Sequence, residues 1–556
     1  MINYFKRNIY LGGYIFIFIL AIFFRLFRLS SIPYGFHVDE AKAAWNAYSI
    51  LKTGADDKGN FFPMYYDSFG DFRPTGLMYL IIPSLLLFGQ NIFAVRFPFA
   101  LTGALTFIPL LFIIKELFSK NYKKIGLATA LILTLNPWHI IASRSTSESI
   151  VSMFFTLWGL YFLIKSLKKP NLRNLLLSTF FFITSYFFYH SIRVLAPVFV
   201  FTIIIFDWIN KKRNEINFKP LIILLALMIS SFVFLSSKSA RGRMSQVNLL
   251  SDFGALYEIT KMPSEIGPGH VFTARVFHNK VAAYSRRFVE EYVSYFSTGF
   301  LIGNLAKPIR YNVPQVGLVT YFEFLLIIIG LFYVSRSKEL LLIVFLLTLA
   351  PLTGAVTIED TPNLQRSIFM IPFLTIIAAY GLYKLFGLSK KFNIIKTLVF
   401  FGFIFNFVYF LHMYFVHQKM SIATYYRDGG NVELAKKISE IGSSYSQIIL
   451  TNSPDNLYPW IAFLNKYDPR VFNKSYNEIS DGVRRYNNLI FSENKCPLNS
   501  ALENDSIKLV NTLYVDAEGC IIDKKYEIEY DVNLVDTILR PDFSPPYYLR
   551  SVKQLK

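Results

Sequence analysis

The chain has 556 residues, 53% of them hydrophobic and 17% aromatic, with a formal net charge of +20. Apolar residues in long runs at that content exclude a soluble globular enzyme and describe a polytopic α-helical membrane protein. Its lysines and arginines fall in small clusters between apolar runs, the positive-inside pattern, so the excess charge does not indicate a nucleic-acid partner.

Lys6 and Arg7 followed by Ile9 to Phe24 look like a secretory signal, but Arg25 and Arg28 come next without a small-residue cleavage site. The segment therefore reads as a retained signal anchor. Apolar runs long enough to cross a bilayer lie near 9–27, 93–114, 125–142, 150–164, 174–190, 194–210, 219–235, 318–334, 339–356, 367–385 and 394–416, about 11 transmembrane helices. With the N-terminus in the cytoplasm, five further loops on that side are basic: Lys115, Lys120, Lys123 and Lys124; Lys165, Lys168, Lys169 and Arg173; Lys211, Lys212 and Arg213; Arg336 and Lys338; Lys384, Lys390 and Lys391. Gly76 to Phe88 is apolar but short and broken by Pro83. Counting it as a span would invert every later loop, so it is assigned to the membrane interface or a partial re-entry.

The outer side then receives 28–92, 143–149, the 190–193 turn, 236–317, 357–366 and everything after about 417. This predicts a transmembrane domain, 1–417, with a first outer loop at 28–92 and a large outer loop at 236–317, and an extracytoplasmic domain, 418–556. In the latter, a helix-like run at Asn431–Ile441, a strand-like run at Gln447–Thr451, a turn at 452–456 and the run Tyr458–Leu464 predict a small mixed α/β domain. Cys496 and Cys520 both lie there, and two residues alone do not decide between free thiols and a disulfide.

Charged side chains gather in the outer loops. The first carries Asp39 and Glu40, two adjacent carboxylates just beyond an apolar helix, with His37 upstream and Asp56, Asp57, Asp67, Asp71 and Arg73 beyond. The second carries Arg144 and Glu148, the third His190 and Arg193, and later ones Arg241, Arg243, Arg275, Arg286, Arg287, Lys307 and Arg310, then Glu359, Asp360 and Arg366. A carboxylate can take a proton from a hydroxyl while arginines hold a phosphate, which suits displacement of a lipid phosphate from a sugar's anomeric carbon. The plainer alternatives are that Asp39 caps a helix beginning near Ala41, and that the arginines snorkel at the interface. His37 and His139 define no metal motif. No phosphate-binding glycine loop occurs, which argues against an ATP-driven pump.

The stretch Pro33-Tyr-Gly-Phe-His-Val-Asp39-Glu40-Ala, continuing through Ala47-Tyr48 to Gly54 and Gly59, with Arg96-Phe-Pro98, resembles the GT-C superfamily of integral-membrane glycosyltransferases. The likeness is to the branch of protein O-mannosyltransferases and the lipid A aminoarabinose transferase, family 39. Asn136-Pro-Trp-His139, Ser143-Arg144 and Glu148, Tyr189-His-Ser-Ile-Arg193, Phe296 to Gly303 with Arg310 and Gly317, and Pro362-Asn-Leu-Gln-Arg366 extend it over most of 20–385. The resemblance implies a multi-helix membrane domain, a polyprenyl-phosphate sugar donor and inversion at the anomeric carbon. It also implies Asp39 as base or acceptor-positioning group, supported by Glu40 and Glu148. The branch's His-Pro-Pro-type motif is missing, with Arg73-Pro74-Thr75-Gly76 in its general place, and the C-terminal part does not resemble a β-trefoil, so a protein acceptor is not implied.

The expectation is therefore a membrane glycosyltransferase acting on the extracytoplasmic side, with Asp39, Glu40 and Glu148 catalytic and Arg144, Arg193 and Arg366 on the donor phosphate. His37, Arg73 and His139 are candidate substrate contacts. No cofactor is required by the sequence, though a divalent cation could share the phosphate-holding role. The acceptor is a lipid, glycan or protein. A transporter or flippase of a lipid-linked saccharide, or a non-catalytic scaffold, are the competing classes. Mid-bilayer charges and repeated halves would favour the transporter, and neither is evident.

Overall fold

Inside a bilayer the backbone has no water to bond, so long apolar runs can only close their own amides as helices. The computed structural model describes residues 2–212, 216–237, 242, 248–452, 456–477, 479–480, 483–503, 511–522 and 530–553. Arg213, Arg241 and Arg243 and the middle of the 452–456 turn lie outside the described residues.

The chain divides into two compact units. One comprises Met1–Phe27, Phe69–Gly76 and Phe99–Val416, the other Arg28–Ser68, Leu77–Pro98 and His417–Lys556. This differs from a single cut near 417. Most of the first outer loop groups with the C-terminal residues, because its helix Val38–Thr53 packs against helices Tyr458–Leu464 and Pro469–Asn477.

The first unit is helical, and each apolar run assigned above falls on a helix. Among the described residues, five helices are long and apolar enough to cross a membrane: Ile92–Leu117, Glu148–Lys168, Ile192–Ile209, Lys338–Ala355 and Asn393–Met420. Several others are shorter than the sequence runs. The 318–334 run is a helix only over Tyr321–Leu331, because Thr320 caps it by accepting from Glu323 N–H, and the 174–190 run closes at Tyr186. The 125–142 run is two helices, Tyr122–Leu135 and Pro137–Ser143, bent by 58°. Proline removes a helical donor there, and the Asn136 side chain accepts from His139 N–H at 2.8 Å to start the second helix. Helices Tyr321–Leu331 and Met370–Phe386 cross closely; a Cβ on Gly381 would lie 2.1 Å from the Leu326 carbonyl oxygen, so the crossing requires glycine.

In the second unit the C-terminal residues build a sheet of seven strands among the described residues. They are β1 (Gln447–Thr451), β2 (Ile479–Ser480), β3 (Val483–Tyr486), β4 (Leu489–Ser492), β5 (Thr512–Ala517), β6 (Asp531–Ile538) and β7 (Tyr547–Lys553), in the order β2-β3-β4-β1-β5-β7-β6. Strand β1 runs parallel to β4 and β5, while the outer pairs are antiparallel. All six residues of β5 are buried, as in a strand covered on both faces. Cys496 and Cys520 form a disulfide beside it.

Candidate active site

Helix Val38–Thr53 places the acidic pair. Its cap is His37, whose Nδ1 accepts from Asp39 N–H at 3.1 Å, and the Val38 N–H is taken by Asp428 Oδ2 at 2.6 Å. The alternative that Asp39 caps a helix beginning near Ala41 is therefore corrected: the helix starts earlier, and Asp39 lies inside its first turn. There the carboxylate stands at the favourable positive end of the helix dipole. Asp39 Oδ2 is 3.3 Å from His37 Nδ1, and the Asp39 side chain keeps 19% of its surface exposed.

Glu40, the next residue, points the other way into the interior. Arg96 donates to its Oε2 from Nη2 at 2.7 Å and from Nε at 3.2 Å, and Arg427 donates from Nη2 to its Oε1 at 3.2 Å. All three side chains are buried. Arg96 also donates to the carbonyls of Leu29, Pro33 and Gly35, binding the turn that leads to the pair. Two residues further along the helix, buried Lys42 donates to Asp57 Oδ2 at 2.5 Å and to the Tyr458 hydroxyl, which itself donates to Asp57 at 2.5 Å. Burial, and then the Asp57 charge, push the Tyr458 phenol well above its ordinary range, so it remains a donor.

The first unit gathers a separate group. Glu148 opens helix Glu148–Lys168, with Arg73 Nη1 4.0 Å from its Oε1 and Arg73 Nε donating to Asp71 Oδ2 at 2.8 Å. Arg366 comes to the same region, because its neighbour Gln365 bonds the serines on either side of Glu148. Arg366 donates to Thr357 Oγ1 and Glu359 Oε2, each at 2.8 Å, and its side chain is 12% exposed. Gln365, beside it, accepts from the hydroxyls of Ser147 and Ser149, which flank Glu148.

The remaining predicted residues are set deeper. Arg144 is fully buried and donates at 2.8 Å to the carbonyls of Phe24 and Phe27, at the C-terminal end of helix Ile2–Leu26. Arg193 does the same for helix Leu172–Tyr186, donating to Tyr186 O at 2.8 and 3.1 Å, and it holds His190 Nδ1 at 2.9 Å. His139 is buried against Arg25, 2.6 Å from its Nη2. Sequence reasoning did not single out Arg427, Asp428 or Tyr458 at all, since a residue in a domain hundreds of positions away leaves no local signal. Arg96 was visible only as part of Arg96-Phe-Pro98. Among the described residues no three His, Cys, Asp or Glu side chains converge as a metal-ligand set, so no protein cage for a cation is assigned.

Residues 73–235 match the family model of dolichyl-phosphate-mannose-protein mannosyltransferase. No curated protein matches the chain in sequence. Among solved structures, ArnT from Cupriavidus metallidurans in its apo state superposes with a TM-score of 0.50 at 10% identity, covering 99% of this chain and 98% of that one. The same protein bound to undecaprenyl phosphate gives 0.50 at 11% identity, covering 98% of each chain. At that identity the likeness establishes the fold, and it does so over nearly the whole length of both chains.

Proposed function

We infer, from a chain with the GT-C fold and a family segment over 73–235, that it transfers a sugar from a polyprenyl-phosphate donor to an extracytoplasmic acceptor with inversion at the anomeric carbon. The observation that carries this reading is Asp39: a partly exposed carboxylate in the first turn of a buried helix, relieved of capping by His37 and set in a tightly bonded turn.

In the proposed reaction an acceptor hydroxyl oxygen attacks the anomeric carbon, and its proton passes to the Asp39 carboxylate. The bond between that carbon and the phosphate oxygen breaks, and the electron pair leaves on the polyprenyl phosphate. Guanidinium groups favour that departure by holding the developing charge. Arg366 and Arg73 suit this role, since both keep part of their surface open and both belong to the Glu148 group. Arg144 and Arg193 shape the protein by fixing helix ends. The donor class is supported by the undecaprenyl phosphate bound to ArnT, and the acceptor is a hydroxyl-bearing lipid, glycan or protein. The outer placement of the C-terminal region is supported by its disulfide, which suits an oxidising compartment.

Membranes containing the wild type, Asp39→Asn or Glu148→Gln, supplied with a panel of radiolabelled polyprenyl-phosphate sugars, test this. Product or released lipid phosphate is expected with the wild type, and at least a hundredfold less with Asp39→Asn, which keeps shape but has no basic carboxylate. Wild-type turnover by Asp39→Asn would remove Asp39 from the chemistry. Substrate crossing the membrane with no new glycosidic bond would favour the transporter.

A further inference from the structure

The turn that precedes Asp39 is bound by the C-terminal region at almost every step. Arg427 Nε donates to Tyr34 O at 3.2 Å, Trp460 Nε1 to Phe36 O at 2.5 Å, and Asp428 Oδ2 accepts from Val38 N–H at 2.6 Å. At Gly35, with φ of +85°, a Cβ would lie 2.4 Å from the Arg427 carbonyl oxygen, so the two backbones are in direct contact and no side chain fits. Asp428 itself adopts the left-handed conformation, φ +55°, which turns its carboxylate back to the start of the helix while Arg427 reaches Glu40.

A domain that served only to admit the acceptor would not need to hold Tyr34, Gly35, Phe36 and Val38, four of the five residues that lead up to the proposed base. We propose that Arg427 and Asp428 are positioning residues for Asp39, making the C-terminal region a component of the catalytic apparatus, and that Glu40 belongs to this clamp. The inference rests on the reading of Asp39 as base. Arg427 and Glu40 fix where the turn lies, and Asp428 fixes where the helix begins. Together they set the position and direction of the Asp39 carboxylate relative to the helix axis. A displacement of about an ångström at a proton-accepting group costs on the order of a hundredfold in rate without altering how the donor is held elsewhere.

The test uses the full chain in detergent with undecaprenyl-phosphate mannose, glucose, galactose and aminoarabinose as donor probes. It reads released undecaprenyl phosphate, the unfolding midpoint, and amide exchange over residues 33–41. For Asp428→Ala the expected result is a kcat lower by about ten- to a hundredfold, a donor KM within about twofold of wild type, and faster exchange in 33–41. Asp428→Asn keeps an oxygen acceptor for Val38 N–H and is expected to recover most of the kcat. Arg427→Lys, which keeps the charge but cannot reach Tyr34 O and Glu40 at once, is expected to behave like Asp428→Ala. Wild-type kcat in Asp428→Ala, or a loss appearing only in KM, overturns the proposal, and so does a loss that Asp428→Asn fails to recover. If Asp39→Asn retains wild-type turnover, or the wild type uses none of the donors, the reading of Asp39 as base fails and the inference falls with it. Inactive Asp39→Asn beside fully active Asp428→Ala condemns the positioning role alone.

Discussion

Two adjacent carboxylates, Asp39 and Glu40, end up in opposite circumstances because successive helical positions are about 100° apart around the axis. Asp39 faces partly outward, whereas Glu40 is enclosed between Arg96 and Arg427. Removing one member of a buried ionic group leaves the others uncompensated, so Glu40→Ala should destabilise the protein by about 3–5 kcal/mol. Asp39→Ala, at a partly exposed site, should cost under about 1 kcal/mol. Unfolding midpoints of the two variants in detergent measure the contrast. Equal midpoints, with turnover lost only in Glu40→Ala, would return Glu40 to the chemistry. The pair itself was legible in the sequence as two adjacent acids just beyond an apolar helix. Their contrasting surroundings were not, because Arg427, which bonds Glu40, and Asp428, which bonds the first amide of the helix, lie 387 and 390 residues from the atoms they hold.

At the scale of elements, hydropathy located the helices but not their ends, which depend on who takes the last carbonyls and first amides. Thr320 shortens one run, and Arg193 closes another by taking Tyr186 O. Asn136-Pro-Trp-His139 was recognisable as a motif, and the structure gives it a physical role as a joint. Asn136 caps the second helix through its Oδ1 and donates from Nδ2 to both oxygens of buried Glu323, at 2.9 and 3.1 Å, while Trp138 Nε1 donates to Leu364 O. Asn136→Ala loses a cap and strips Glu323 of a donor, each worth about 1–2 kcal/mol. Asn136→Asp preserves the cap but sets a second carboxylate against Glu323. If the joint works through that donation, Asp should lower the unfolding midpoint at least as far as Ala. If only capping matters, Asp should match the wild type.

For the molecule as a whole, the sequence conveyed a membrane protein with a mixed α/β region at its end, and the fold agrees. What it could not convey was the grouping of residues 28–68 and 77–98 with that region, since burial of Val38–Thr53 against Tyr458–Leu464 depends on side chains far apart in the chain. The orientation proposed here makes a further prediction, and the disulfide makes it easy to read. With Cys496 and Cys520 joined, neither native thiol reacts with a maleimide, so a single introduced cysteine reports its own side of the membrane. Phe543 is 76% exposed in the C-terminal region, and Lys120 is exposed in a loop assigned to the cytoplasm by its charge. In intact cells a membrane-impermeant maleimide should label Phe543→Cys and spare Lys120→Cys until the membrane is opened. The reverse pattern would place the proposed base on the cytoplasmic side and leave the disulfide in a reducing compartment, where such bonds do not persist. Labelling and disulfide are independent consequences of one orientation, and a non-reducing gel of the same samples shows whether they agree.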